Sequence, residues 1–275
     1  MSVFPTARPE PDIVARLRAA GCVFAEDEER LLRSAARTPS HLATMVDRRV
    51  AGDPLEQILG WAEFCGLSIA VEPGVFVPRK RTEFLVHRAA ELLRPGAIVG
   101  DLCCGSGAVG AALAATADRI ELHAADIDPA AVRCARRNVS AAGGHVYEGD
   151  LFQALPGALR GRLDLIVANA PYVPTEAIGL MPPEARDHEP RIALDGGADG
   201  LDVQRRVAAA APQWLVPGGH LLIETSTRQV RRTVEAVTDN AMTARVADSA
   251  ELDATVVIGT TVHRRSPPDV TERLH

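Results

Sequence analysis

A chain of 275 residues is long enough to bury one large core and to carry a smaller unit beside it. Its hydrophobic content of 47% and charged content of 24% are ordinary globular values. A net charge of -6 argues against a protein built to coat DNA or an anionic membrane, and no apolar run approaches the roughly 18 residues of a membrane span.

Residues 1–12 are rich in proline and charge and read as a frayed arm without the apolar stretch of a signal peptide. Helical spacing starts at Asp12, where Ile13, Val14 and Leu17 share a face and Gly21 marks a stop. A second helix is expected over about Ala25 to Arg37, acidic in its first turn and basic later, as the helix dipole favours. Thr38-Pro39 predicts an N-cap followed by proline at the first helical position, and Leu42, Met45, Val46 and Val50 continue that helix to Gly52. Residues 1–60 are therefore expected to form a small helical domain. Residues 61–82 form a linker whose alternation at Leu67, Ile69 and Val71 predicts a hairpin. Thr82 is expected to cap a helix through Phe84, Leu85, Ala89 and Leu92. Arg79, Lys80 and Arg81 make either a solvated turn or a lid beside a pocket.

From Ala97 strands and helices alternate, which predicts a doubly wound α/β domain over residues 83–275. Expected strands are Ala97–Cys103, Ile120–Asp126, His145–Tyr147, Leu163–Ala168 and His220–Thr225, the last entered through a Pro217-Gly218-Gly219 turn. Helices are expected over Ala108–Ala117, from Pro129 to about Ala142, over Leu201–Leu215 and over Gln229–Thr238. Two late strands lie near Ala244–Ala247 and Ala254–Val262. The five cysteines (Cys22, Cys65, Cys103, Cys104, Cys134) have no metal-ligand spacing, so no metal is expected and a reduced, cytoplasmic protein is. Cys103 and Cys104 read as packing residues, because no paired base is evident.

Two stretches carry chemistry. Asp101-Leu102-Cys103-Cys104-Gly105-Ser106-Gly107 lies between a strand and a helix, where glycines let the backbone approach a ligand and the helix N-terminus offers free N–H groups. Asp126, about 20 residues on, ends the next strand, where an acid accepts from a ribose diol in either a dinucleotide or an adenosyl cofactor. Asp150 ends the third strand, within reach of an adenine amino group. There is no GxGxxG and no Walker lysine, since Ala108-Val109-Gly110 follows Gly107. A ligand with ribose and adenine but no pyrophosphate, S-adenosylmethionine (SAM), fits better. The second stretch, Leu163 to Tyr172, is an apolar strand ending in Asn169-Ala170-Pro171-Tyr172. It reads either as a strand with a proline turn and a core tyrosine, or as a site that grips an NH2 group. In the second case the Asn169 oxygen and a backbone carbonyl are the acceptors and the Tyr172 ring lies on the plane. Glu224 is read as a strand-end residue or a pocket acid.

Asp101–Gly107, Asp126, Asp150 and Asn169–Tyr172, in this order, resemble a class I SAM-dependent methyltransferase of the amino-group type, whose signature is (Asn/Asp)-Pro-Pro-(Tyr/Phe). More narrowly, the chain is similar to the HemK/PrmC family of release-factor glutamine N5-methyltransferases. Gly52–Gly60, Phe76-Val77-Pro78-Arg79 with Thr82-Glu83, and His188-Glu189-Pro190-Arg191 with Gly196–Gly200 match that family's further elements. It departs from the family at Cys103, usually Gly, and at Ala170, usually Pro. An arginine usual near Asp253–Val257 is missing, and the helical domain is short. The resemblance implies a Rossmann-like, mostly parallel seven-stranded sheet with a reversed final hairpin, behind a small N-terminal helical domain that docks a protein. It implies a SAM shell of Asp101, Cys103, Cys104, Gly105, Ser106, Gly107, Asp126 and Asp150, with Phe152 beside the adenine and Asn169 bordering it. Asn169, Ala170, Pro171 and Tyr172 would bind the substrate amide, with Asn169, Pro171 and Tyr172 catalytic. The implied partner is a protein, such as a peptide chain release factor, with neither membrane nor nucleic acid as direct partner. Methylation of an exocyclic base amine or of a small molecule, and a non-catalytic SAM-binding module, stay open.

Overall fold

The computed structural model describes residues 12–262. The arm read over residues 1–11 lies outside them. Helix α1 (Ile13–Ala19) starts where the Asp12 carboxylate accepts the Ala15 N–H at 3.3 Å. Helix α2 (Ala25–Ala35) has the expected acidic first turn. Helix α3 (Pro39–Val50) is capped by the Thr38 hydroxyl, which accepts the His41 N–H at 3.1 Å. A short α4 (Leu55–Leu59) follows. These helices bury a core of their own around Leu17, Leu32, Met45, Val46 and Ile58.

Strands β1 (Trp61–Phe64) and β2 (Leu67–Ala70) form the expected hairpin. Its two turn residues, Cys65 and Gly66, have φ of +49° and +74°, the paired left-handed geometry of a type I′ turn. Phe64 and Ile69 leave the hairpin to join the main core, so apolar burial welds it to the larger unit. A 3-10 turn over Lys80–Thr82 then leads into α5 (Glu83–Ala90). Here the expected cap fails. Thr82 already has helical dihedrals (φ -67°, ψ -15°) and makes no capping bond, because the 3-10 turn supplies the entry instead.

The α/β unit contains β3 (Ile98–Leu102), α6 (Ala108–Thr116), β4 (Glu121–Asp126), α7 (Pro129–Val139), β5 (His145–Glu148) and β6 (Leu163–Ala168). After short helices α8 (Pro183–His188) and α9 (Arg191–Leu194) come α10 (Asp202–Trp214), β7 (Leu215–Thr225), α11 (Val230–Thr238), β8 (Met242–Ser249) and β9 (Ala254–Thr261). The strands order as β5-β4-β3-β6-β7-β9-β8, seven in all, and β9 runs antiparallel to both its neighbours. The fold is Rossmann-like and mostly parallel. Strand β3 is buried from Val99 to Leu102 and β6 from Leu165 to Ala168 because helices cover each side, with Asp101 the buried acid of the first and Asp164 the exposed acid of the second. One boundary differs: Pro217-Gly218-Gly219 does not precede β7 but interrupts it. The register against β6 jumps there from Leu163–Leu215 to Leu165–His220.

Candidate active site

The register of the central strands sets Leu102 opposite both Ala125 and Ala168, so the carboxyl ends of β3, β4 and β6 stand abreast. The chain leaves β3 towards β4 on one side and lies against β6 on the other. That is the crevice where open α/β sheets bind ligands. A cavity of about 310 Å³ opens there, and both sequence stretches line it.

One half is built on the glycine turn. Cys103 sits in the left-handed region at φ +55°, a geometry that favours glycine. Nothing lies within 4 Å of where a Cβ of Gly105 would stand, so the backbone there is open to a ligand. Gly107 has another role: it does not line the cavity, and a Cβ on it would come 3.0 Å from that of Ala135, so it lets α6 close on α7. Asp126 straps the turn, its Oδ2 accepting the Gly105 N–H at 2.8 Å and its Oδ1 the Asp128 N–H at 2.9 Å. Burial raises its pKa against those two bonds. Asp101 is buried at the floor and accepts the Gly110 N–H at 2.9 Å, yet burial pushes its carboxyl up to about 7. Burial likewise pushes up the Cys103 and Cys104 thiols, so both line the cavity as neutral groups.

Asp150 lines the same half, paired with Arg206 of α10 at 2.5 Å. Phe152 does not reach the cavity. A 3-10 turn over Leu151–Ala154, entered at Leu151 with φ +50°, sends its ring into the core against Trp214, centroids 5.3 Å apart. Leu151 lines the cavity in its place. Sequence reasoning also missed Asn138. Its carboxamide accepts the Ala70 N–H at 2.9 Å and donates to the Ala70 and Ser106 carbonyls at 2.9 and 2.8 Å, tying the hairpin to the glycine turn. No local pattern marks Asn138. Nor does one mark Arg206, which the packing of α10 brings to the cavity beside Val203.

The other half is built on Asn169-Ala170-Pro171-Tyr172, all four of which line the cavity. Asn169 Nδ2 lies 3.4 Å from the Thr82 hydroxyl. Behind the tetrapeptide, Gln229 donates to the Tyr172 carbonyl at 2.9 Å and the Asp199 carbonyl at 3.0 Å. Gly200 presses on the same carbonyl so closely that a Cβ would stand 2.3 Å from it. Burial, reinforced by nearby Glu224, pushes the Tyr172 phenol up to about 12, so it stays a neutral ring. Of the basic run before α5, Arg79 and Arg81 line the cavity while Lys80 pairs outside with Glu83. Glu189 accepts from Arg79 at 2.6 Å and from the Val77 N–H at 3.3 Å, joining two stretches that lie far apart in the chain. Glu224 is buried behind Tyr172, with Arg81 3.8 Å away.

The donor set suits a cationic adenosyl group. Asp101, Asp126 and Asp150 line one half, the space over Gly105 is free, and the one arginine there is already paired with Asp150. A pyrophosphate would meet carboxylates instead of cations. Strand order, glycine turn, strand-end acids and the Asn169–Tyr172 turn together define a class I SAM-dependent methyltransferase. The family model described as Methyltransferase small domain matches residues 66–181. The release factor glutamine methyltransferase of Geobacter sulfurreducens is 42% identical over 68% of this chain, which spans 66% of that protein's length. That of Streptomyces coelicolor is 38% identical over 76% of this chain and 75% of its own. The 4-amino-L-phenylalanine/4-methylamino-L-phenylalanine methyltransferase of Streptomyces pristinaespiralis is 37% identical over 71% of this chain and 69% of its own. A solved methyltransferase from Pyrococcus furiosus shares the fold, with a TM-score of 0.55 at 16% identity over 72% of this chain and 90% of that one. The chain belongs to the release factor glutamine methyltransferase family.

Proposed function

We propose that this protein transfers a methyl group from SAM to the side-chain amide nitrogen (N5) of a glutamine in a peptide chain release factor. The observation that carries this reading is the Asn169-Ala170-Pro171-Tyr172 turn opening on the same cavity as the glycine turn and Asp126. The names of the relatives at 42% and 38% identity support it. When bound, SAM supplies a methyl group on a sulfonium, an electrophile with its own leaving group. The protein's task is then to bind, orient and exclude water. Asp126 would accept from the ribose hydroxyls, while Asp150 and Leu151 would border the adenine and Asp101, Cys103, Cys104 and Ser106 the remainder. Asn169 Oδ1 and the Ala170 carbonyl accept the two N–H bonds of the substrate amide, and the Tyr172 ring lies along its plane. An amide nitrogen is a poor nucleophile because its lone pair is delocalised. Gripping both protons aims that lone pair at the methyl, and orientation supplies much of the rate. The nitrogen–carbon bond would form as the methyl–sulfur bond breaks, its electron pair staying on the sulfur as a neutral thioether, and the nitrogen would lose one proton to solvent.

The N-terminal unit, residues 1–60, serves to dock the protein substrate, residues 61–82 serve as the hairpin linker and residues 83–275 as the methyltransferase unit. Such a partner places the protein in the cytoplasm. No helix among the described residues is long and apolar enough to cross a membrane. A second reading, N-methylation of a free amino acid bearing an aromatic amine, is favoured by the name of the relative from Streptomyces pristinaespiralis. The deciding experiment incubates the protein and labelled SAM with release factors, unrelated proteins, DNA, RNA and 4-aminophenylalanine. Label on a release-factor glutamine, lost on its replacement by alanine, is the expected result. Label on nucleic acid or on the free amino acid overturns the reading.

A further inference from the structure

Behind the acceptor turn lies a polar group that the chemistry above does not use. Glu224 ends near the carboxyl edge of β7, is 2% exposed, and its Oε2 is buried without a hydrogen-bond partner. A carboxylate is an acceptor only, so any hydroxyl that bonds to it must spend its proton there. Two hydroxyls face it, Thr82 from the turn before α5 and Tyr172 from the acceptor turn. Burial pushes the Glu224 pKa up, while the Thr82 hydroxyl, Arg81 Nε 3.8 Å from Oε1, and the Tyr172 hydroxyl favour the ionised form. Thr82 is itself 2% exposed, and its oxygen lies 3.4 Å from Asn169 Nδ2. A hydroxyl has one proton. With that proton turned to Glu224, Thr82 offers Asn169 only lone pairs, so the carboxamide must present its NH2 to Thr82 and its Oδ1 to the other side. The reversed carboxamide would set its oxygen against the Thr82 lone pairs and its NH2 against a substrate NH2. Both ends would then be mismatched.

We propose that Glu224 and Thr82 are positioning residues that fix which way the Asn169 carboxamide faces, Glu224 by claiming the Thr82 proton and Thr82 by accepting from Asn169 Nδ2. The cavity is thereby set to receive an acceptor group that presents N–H donors. This rests on the reading that Asn169 Oδ1 grips the acceptor amide.

The test compares full-length Thr82→Val, Thr82→Ser, Glu224→Gln and Asn169→Ala, using the acceptor that wild type labels and measuring kcat, KM, the SAM Kd and the melting temperature. Valine keeps the shape and loses the hydroxyl; serine keeps the hydroxyl and loses the methyl. Thr82→Val is expected to lower kcat by roughly tenfold to a hundredfold with the SAM Kd unchanged, and Thr82→Ser to retain most of it. Glu224→Gln should lower kcat alongside Thr82→Val, and the double variant should be little worse than either single one. If Thr82→Val melts early, Glu224→Gln carries the same test. A purely packing role gives the opposite order, valine tolerated and serine not, and overturns the proposal. Unchanged kcat in Thr82→Val with an inactive Asn169→Ala overturns the proposal alone. Unchanged turnover in Asn169→Ala removes the reading beneath it as well.

Discussion

Asn169 and Asp101 show how much a single side chain decides here. Asn169 touches the acceptor half of the cavity and makes no contact with the glycine turn among its hydrogen bonds. Asn169→Ala is therefore expected to keep the SAM Kd while losing roughly 100-fold to 1000-fold in kcat, the scale seen when one preorganised polar group is removed. Equilibrium binding and single-turnover labelling measure the two separately. Asp101, with its carboxyl pushed up to about 7, titrates near neutrality. Its charged form is the one a cationic ligand favours, so SAM should bind more tightly as pH rises through that value and release a proton on binding below it. Titration calorimetry in buffers of different ionisation enthalpy reads that proton, and Asp101→Asn should abolish it. The sign for stability is opposite. A buried acid whose folded pKa lies above its unfolded value, about 3.9, favours folding at low pH, and that contribution is lost as pH rises through the folded pKa. Cys103 is a third case: at φ +55° a side chain is strained, and Cys103→Gly is expected to relieve strain of roughly 1 kcal/mol, partly offset by the entropy glycine returns to the unfolded chain.

At the scale of elements, the site depends on pieces that hold one another's backbones. Asn138 on α7 spans the hairpin and the glycine turn through three hydrogen bonds of 2.8–2.9 Å. Neutral bonds of this kind contribute about 1 kcal/mol each, and a buried carbonyl left without a donor costs more. Asn138→Ala should lower the melting temperature and weaken SAM binding, because the Ser106 carbonyl anchors the cradle; unchanged SAM affinity would confine Asn138 to stability. The Gly196–Gly200 stretch does the same for the acceptor turn. Gly200→Ala would drive a Cβ to 2.3 Å from the Tyr172 carbonyl, and the turn must shift to accept it. These elements were legible in different degrees. Amphipathic helices, β6 and the Thr38-Pro39 cap follow from local patterns, and the structure repeats them nearly residue for residue. Thr82 reads locally as a cap, and the family resemblance sets Phe152 beside the adenine. Both readings fail because a 3-10 turn, invisible to periodicity, sets the direction of each side chain.

Across the whole molecule, the helical unit is tied to the acceptor side of the sheet by charge. Arg49, its side chain 11% exposed, pairs with Glu28 at 2.6 Å and reaches Glu184 of α8 at 3.5 Å. Asp53 meets His188 at 3.4 Å, one residue before the Glu189 that clamps Arg79. Removing one member of a buried pair leaves the other uncompensated and typically costs about 3–5 kcal/mol. Arg49→Met should therefore destabilise the protein strongly and raise the KM for the protein acceptor, with the SAM Kd little changed; a KM equal to wild type would separate the helical unit from docking. What the sequence alone determined was the class of fold and the cofactor chemistry. Both are written in short-range signals: buried parallel strands, a glycine turn at a strand end, acids at fixed intervals and the Asn169–Tyr172 turn. What only the tertiary structure decided was which residues from distant parts of the chain complete the site. Thr82, Glu189, Arg206 and Glu224 come together because strand order and register, not sequence distance, bring them to one edge of the sheet.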